Sequence, residues 1–142
     1  MTQPIAISDA GEITRPALHD AKSQGLLLAP NCRLLMPIET NNGIKYCLVF
    51  QGVERLRADD FRQGNTILDV TVTSGASINL EDVAYAYGLE PSMSVFLQKT
   101  MERLIREDRV VARVNPSYGC TLVCICSEIE TEDDLLAALR AS

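Results

Sequence analysis

From residue 26 onward the chain alternates between buried-type and polar-type positions. Cys32, Leu34, Met36 and Ile38 alternate with Arg33, Leu35 and Pro37, a period of two that predicts a strand. Asn41-Asn42-Gly43 follows, and Asn and Gly tolerate the positive φ of a tight turn. Ile44, Tyr46, Leu48 and Phe50 then alternate with Lys45, Cys47 and Val49, so the two runs predict a β-hairpin ending at Gln51-Gly52. Residues 53–62 are charged and suit a short strand or a turn. Residues 66–73 set Leu68, Val70 and Val72 on one face and Asp69, Thr71 and Thr73 on the other, the pattern of a half-buried strand with a wet outer face. A small antiparallel sheet over residues 26–73 is expected. Before it, Pro16 suits a first helical turn and residues 17–21 contain no breaker, so residues 13–21 predict a short helix.

After the Ser74-Gly75-Ala76-Ser77 linker the period changes to that of a helix. Asn79 can cap it, with Glu81 and Asp82 in the first turn where the helix dipole favours negative charge. Leu80, Val83, Ala84 and Tyr87 fall on one face, and Gly88 stands where the helix must stop and reverse. Leu89 is expected to pack beneath that turn. A second helix is expected from Glu90-Pro91-Ser92, with a buried stripe of Met93, Leu97, Met101, Leu104 and Ile105. Residues 110–114 and 121–126 predict two strands around a tip at 115–119. Near the end, Thr131 is expected to cap a C-terminal helix with Glu132, Asp133 and Asp134 in its first turn, docked by Leu135, Leu136 and Leu139.

The order helix, tight turn, long helix, strand pair over residues 77–126 resembles a winged helix-turn-helix module, with Ala84 at the close helix approach and Gly88 at the turn. The expected fold class is α+β. A 1–23 segment, partly helical, precedes a small antiparallel β unit at 24–76. A winged-helix-like unit with an acidic C-terminal helix follows at 77–142. Each part is near the lower size limit for independent folding, which favours a shared core.

The resemblance implies nucleic-acid binding by the second helix and the wing. Ser92, Ser94 and Gln98 are then the base-edge candidates, Lys99, Arg103 and Arg106 the phosphate candidates, and Arg113 and Tyr118 the wing contacts. Such a reader would act as a homodimer. Charge qualifies this picture. The chain carries a net charge of −6, and residues 127–142 hold one basic and five acidic groups, so the helical module itself is nearly neutral. Glu102 lies among the basic positions and repels phosphate, and Val95 points to the same face. Two functions therefore stand nearly level. One is a small DNA-binding or transcription-associated protein. The other is an acidic protein-interaction module, such as an adaptor, chaperone or immunity-type protein, with an apolar groove around Val95 and Phe96. The acidic tail is expected to dock simply, or else to shield the basic helix face.

Other chemistry finds little footing. Cys120, Cys124 and Cys126 share one parity along a strand, but their spacing and apolar neighbours suit core thiols rather than metal ligands. With Cys32 and Cys47 they are expected to be buried and reduced. His19 lacks a partner for general-base work, and Asp59-Asp60 are adjacent and so diverge. No catalytic residue, metal site or cofactor is predicted. No apolar run approaches the ~20 residues that span a bilayer. No signal peptide is visible in residues 1–11, so a cytoplasmic setting is expected.

Overall fold

The computed structural model describes residues 2–92 and 94–141. Its centre is an antiparallel sheet built around two bent chains that pair with each other. One bent chain is β7 (Lys45–Gln51) running into β8 (Arg55–Asp59), and the other is β11 (Thr121–Cys126) running through Ser127 into β12 (Glu128–Glu132). They pair along their whole length, Glu132 with Cys47 at one end and Thr121 with Asp59 at the other. Gly52 marks the bend, with φ +62°, and a Cβ there would strike the Ser127 hydroxyl at 2.5 Å.

From this pair the sheet extends both ways. On one side β7 pairs with β6 (Arg33–Glu39), which pairs with β4 (Lys22–Ser23) and β5 (Leu27–Ala29). On the other, β11 pairs with β10 (Val110–Tyr118), and β10 with β9 (Thr66–Ser74). β4 then meets β9 at Lys22 and Thr66, so the strands close into a ring. β1 (Gln3–Pro4) extends the edge beside β12, and β2 (Ala6–Ile7) pairs with β3 (Ile13–Arg15) as a small separate ribbon. The fold class is α+β, and the expected N-terminal and C-terminal parts share one core: Leu34, Met36, Leu48, Phe50 and Val70 meet Ala112, Val114, Leu122, Cys124 and Ile129 inside the ring.

Among the described residues, three α-helices cover the outside. α1 (Leu80–Tyr87) and α2 (Val95–Arg106) pack on the outer face of the β10–β11 hairpin, where Val83, Ala84, Leu97 and Leu104 meet Val111, Val123 and Ile125. The parity is strict. Even positions of β11 face the interior and odd ones face the helices, so both faces are apolar. α3 (Leu135–Arg140) covers Leu35, Cys47 and Val49 on the outer face of β6 and β7. The Arg33 side chain, almost wholly buried, closes its C-terminal end, with Nη1 donating to Ala138 O at 2.8 Å and Ala141 O at 2.6 Å. A guanidinium there offsets the helix's negative pole.

Local signals in the sequence explain several of these elements. The Asn79 side chain accepts from the Asp82 amide at 3.2 Å, and Gly88 ends α1 at φ 69°. The Asn41-Asn42-Gly43 turn joins β6 to β7, with Gly43 at φ +83°. Other expectations are corrected. Residues 13–15 form β3 instead of a helix; Ile13 and Leu18 fill the ring, and the residue before a proline is disfavoured in helical conformation. α2 starts at Val95, capped by Ser94, and its buried face is Leu97, Thr100 and Leu104, while Ile105 is exposed. Met93 lies outside the described residues. Leu89 is exposed instead of packing under the turn.

Leu68 is exposed as well, because the β9–β10 pairing shifts at Asn115 and Pro116 and turns Ile67 inward with Val70. Residues 128–132 form strand β12, so Asp134, not Thr131, caps α3, its Oδ1 accepting from the Ala137 amide at 2.8 Å. α3 docks by Ala138 and Leu135; Leu136 and Leu139 face outward. All five cysteines are free, and Cys32 is exposed, at a turn with φ 55° just before β6.

Candidate nucleic-acid or protein interface

The eight residues singled out from sequence separate into groups. Ser94 is a helix cap, its Oγ accepting from the Leu97 amide at 3.2 Å. Ser92 is exposed in the segment leading to it. Gln98, Lys99 and Arg106 are exposed along α2, and Gln98 donates to Glu102 at 3.4 Å. Lys99, Arg103 and Arg106 share a shallow groove of about 410 Å³ with Phe96 and Glu102.

Arg103 and Arg113 are engaged by carboxylates. Arg103 pairs with Glu54 at 2.7 Å and with Glu107 at 3.5 Å, and the hydrogen bond to Glu54 holds its guanidinium more firmly protonated than usual. Arg113, on β10 beside the start of α1, donates to Asp82 at 2.6 Å and to Asn115 at 2.8 Å. Tyr118 lies at the hairpin tip under Arg62, whose Cζ is 5.8 Å from the ring centre. The structure therefore gathers Gln98, Lys99, Arg103 and Arg106 on one helix and leaves Arg113 and Tyr118 in other surroundings.

A second group was not anticipated from sequence. β8 presents Arg55 and Arg57 to the end of α1. Arg55 donates to Ala86 O at 3.2 Å and stacks over Tyr87 at 4.9 Å. Arg57 donates to Tyr85 O at 3.3 Å and stacks over Tyr85 at 4.3 Å. The Tyr85 hydroxyl donates to Asp59, and burial together with that carboxylate pushes the phenol up to about 12. Tyr87 in turn meets Phe96 edge-on, centroids 5.3 Å apart and planes at 81°. The signal was two matched pairs with spacing of two, Arg55-x-Arg57 and Tyr85-x-Tyr87.

That ladder of Arg55, Tyr87 and Phe96 fixes the first turn of α2. Beside it Val95 is 70% and Phe96 52% exposed, and Leu89 is exposed as well. Together these side chains leave an apolar ridge open to solvent, with Phe96 packed edge-on against Tyr87.

The cysteines face away from this surface. Cys120, Cys124 and Cys126 lie inside the ring, and a hydrogen bond with Cys126 together with burial raises the Cys124 thiol above its ordinary range. Among the described residues no group of three or more His, Cys, Asp or Glu side chains is placed to hold a metal. His19 is exposed, its Nδ1 3.1 Å from Leu68 O and its Nε2 3.6 Å from Asp20. Among the described residues no helix is long and apolar enough to cross a membrane. Comparison with known proteins finds no matching family, no matching curated protein and no matching solved structure.

Proposed function

We propose that this chain is a protein-docking module that uses the start of α2. The observation that carries this is the pair Val95 and Phe96, both more than half exposed, with Phe96 packed edge-on against Tyr87, which Arg55 covers. A braced aromatic loses little rotamer freedom on binding, so more of its burial appears as affinity. The partner is a protein segment with an apolar anchor for Val95 and Phe96 and a carboxylate nearby. Lys99 and Arg106 supply the cations for that carboxylate, and Glu102 between them disfavours a polyphosphate backbone.

A displayed-peptide selection on the full chain tests this, with Val95→Asp/Phe96→Asp as counter-selection. Enriched sequences should join Leu or an aromatic residue to Asp or Glu. Equal recovery on both proteins would contradict the proposal.

DNA binding is the second proposal, favoured by the winged helix-turn-helix resemblance and by Ser92, Gln98, Lys99 and Arg106 lying exposed at and along α2. It has few free cations to work with, since Arg103 and Arg113 are tied to carboxylates. A shallow salt dependence and a need for a homodimer follow. Anisotropy of a mixed-sequence duplex at low and moderate salt, with Lys99→Glu/Arg106→Glu as the control, tests it. Salt-sensitive binding lost in that variant would support DNA. A cytoplasmic setting suits either reading, given the free cysteines.

A further inference from the structure

A cleft of about 580 Å³ opens between β4 and the loop that joins β8 to β9, on different elements from the α2 corner. Its lining includes Lys22, Ser23, Phe61, Arg62, Gln63 and Gly64. Two cations from different parts of the chain thus border one space. Lys22 Nζ donates to the neutral Thr66 hydroxyl at 2.7 Å; Glu39 lies opposite it across the strand pair but forms no ion pair with it within 4.0 Å. Arg62 reaches Asp60 only at 4.0 Å, with both side chains largely in solvent. The backbone N–H groups of Gln63 and Gly64 donate to no protein acceptor. Phe61 is 46% exposed in the same wall.

The loop is held in shape from beneath. Asn65 is buried, and its Oδ1 accepts from the Arg62 amide at 2.8 Å and the Cys120 amide at 3.1 Å. Gly119 leaves room for that carboxamide: a Cβ there would lie 2.3 Å from Asn65 Oδ1, and its φ of +92° suits glycine. In the cleft lining, the Ser23 hydroxyl is shielded from solvent and has no hydrogen-bond partner. So the positive groups and free amides stand on a preset frame instead of a slack loop.

We propose that this cleft binds a small phosphorylated ligand with a flat ring, of the nucleoside monophosphate class. Lys22, Arg62 and the Gln63 and Gly64 amides hold the phosphate, and Phe61 stacks the ring. Cations and free N–H groups together favour a phosphate over a neutral group, because each bond to it is charge-assisted. The cleft volume falls within the usual range of small-ligand sites.

The test is an amide-resolved NMR titration of the full chain at low salt with the four common ribonucleoside monophosphates, and separately with adenosine and with inorganic phosphate. At least one monophosphate should shift the Lys22, Gln63 and Gly64 amides, more tightly than adenosine or phosphate alone. Lys22→Gln and Arg62→Gln, both at exposed positions, should each weaken it about tenfold. Phe61→Ala should erase the advantage over inorganic phosphate. Two outcomes would overturn the proposal: no shift at millimolar monophosphate, or shifts that survive in the Lys22→Gln/Arg62→Gln double variant.

Discussion

Arg103 donates to Glu54 through both terminal nitrogens, Nη2 to Oε2 at 2.7 Å and Nη1 to Oε1 at 3.3 Å. Glu54 lies at the bend between β7 and β8, so this pair ties α2 to the ring. Arg109 Nε stands 3.7 Å from the same carboxylate and adds a second cation. A side chain that sequence marks as a phosphate contact is thereby a strut. Both partners are partly exposed, so the coupling is modest. A double-mutant cycle with Glu54→Gln and Arg103→Gln in urea unfolding should give about 0.5–1 kcal/mol. Zero coupling would mean that Arg103 is free for a ligand.

Gly119 and Asn65 are similarly interdependent. Gly119→Ala should destabilise the chain by about 1–3 kcal/mol, because φ of +92° is unfavourable for alanine and its Cβ would displace the Asn65 carboxamide. Thermal unfolding measures this. Asn65→Ala should also weaken hydrogen-exchange protection at the Arg62 and Cys120 amides, which lose their acceptor.

The ends of α1 offer a simpler check. Asn79→Ala should cost about 1 kcal/mol by leaving the Asp82 amide without its cap. Gly88→Ala, at φ 69°, should cost about 1 kcal/mol through left-handed backbone. Denaturant midpoints of the two variants give both values.

Alkaline pH should loosen the α3 face. Burial pushes the Cys47 thiol up from 9.0 to about 11, with Glu132 and Asp134 adding to the effect. The folded state therefore favours the neutral thiol. That contribution is complete below the unfolded value near 9.0 and disappears as pH rises through about 11. Stability measured between these limits should fall more steeply in the parent chain than in Cys47→Ala. Equal slopes would show that this thiol does not drive the loss. The Tyr85 phenol, raised to about 12, should add a further decline above pH 10.0.

What was legible in the sequence was local. Asn79, Gly88 and the Asn41-Asn42-Gly43 turn declared themselves because capping and positive φ are properties of a few adjacent residues. The alternation in residues 33–50 gave a hairpin, yet its second face also proved apolar, since Leu35, Cys47 and Val49 lie under α3. What stayed hidden depended on distant partners. The acidic run at 128–132 has good helix-start chemistry, but the edge of β7 recruits it as a strand. Arg103 finds Glu54 from 49 positions away, and Arg55 finds Tyr87 across a gap no periodicity spans. Leu68 and Leu89 became exposed for reasons of register and turn path that hydropathy does not encode.

The proposed anchoring of a protein partner by Val95 and Phe96 is open to one decisive measurement. Its most direct test is the affinity of the strongest selected peptide, by isothermal titration, for the parent chain and for Val95→Asp/Phe96→Asp. A loss of about thirtyfold or more is expected, as for two central anchors in an interface. Unchanged affinity in the folded double variant would contradict it.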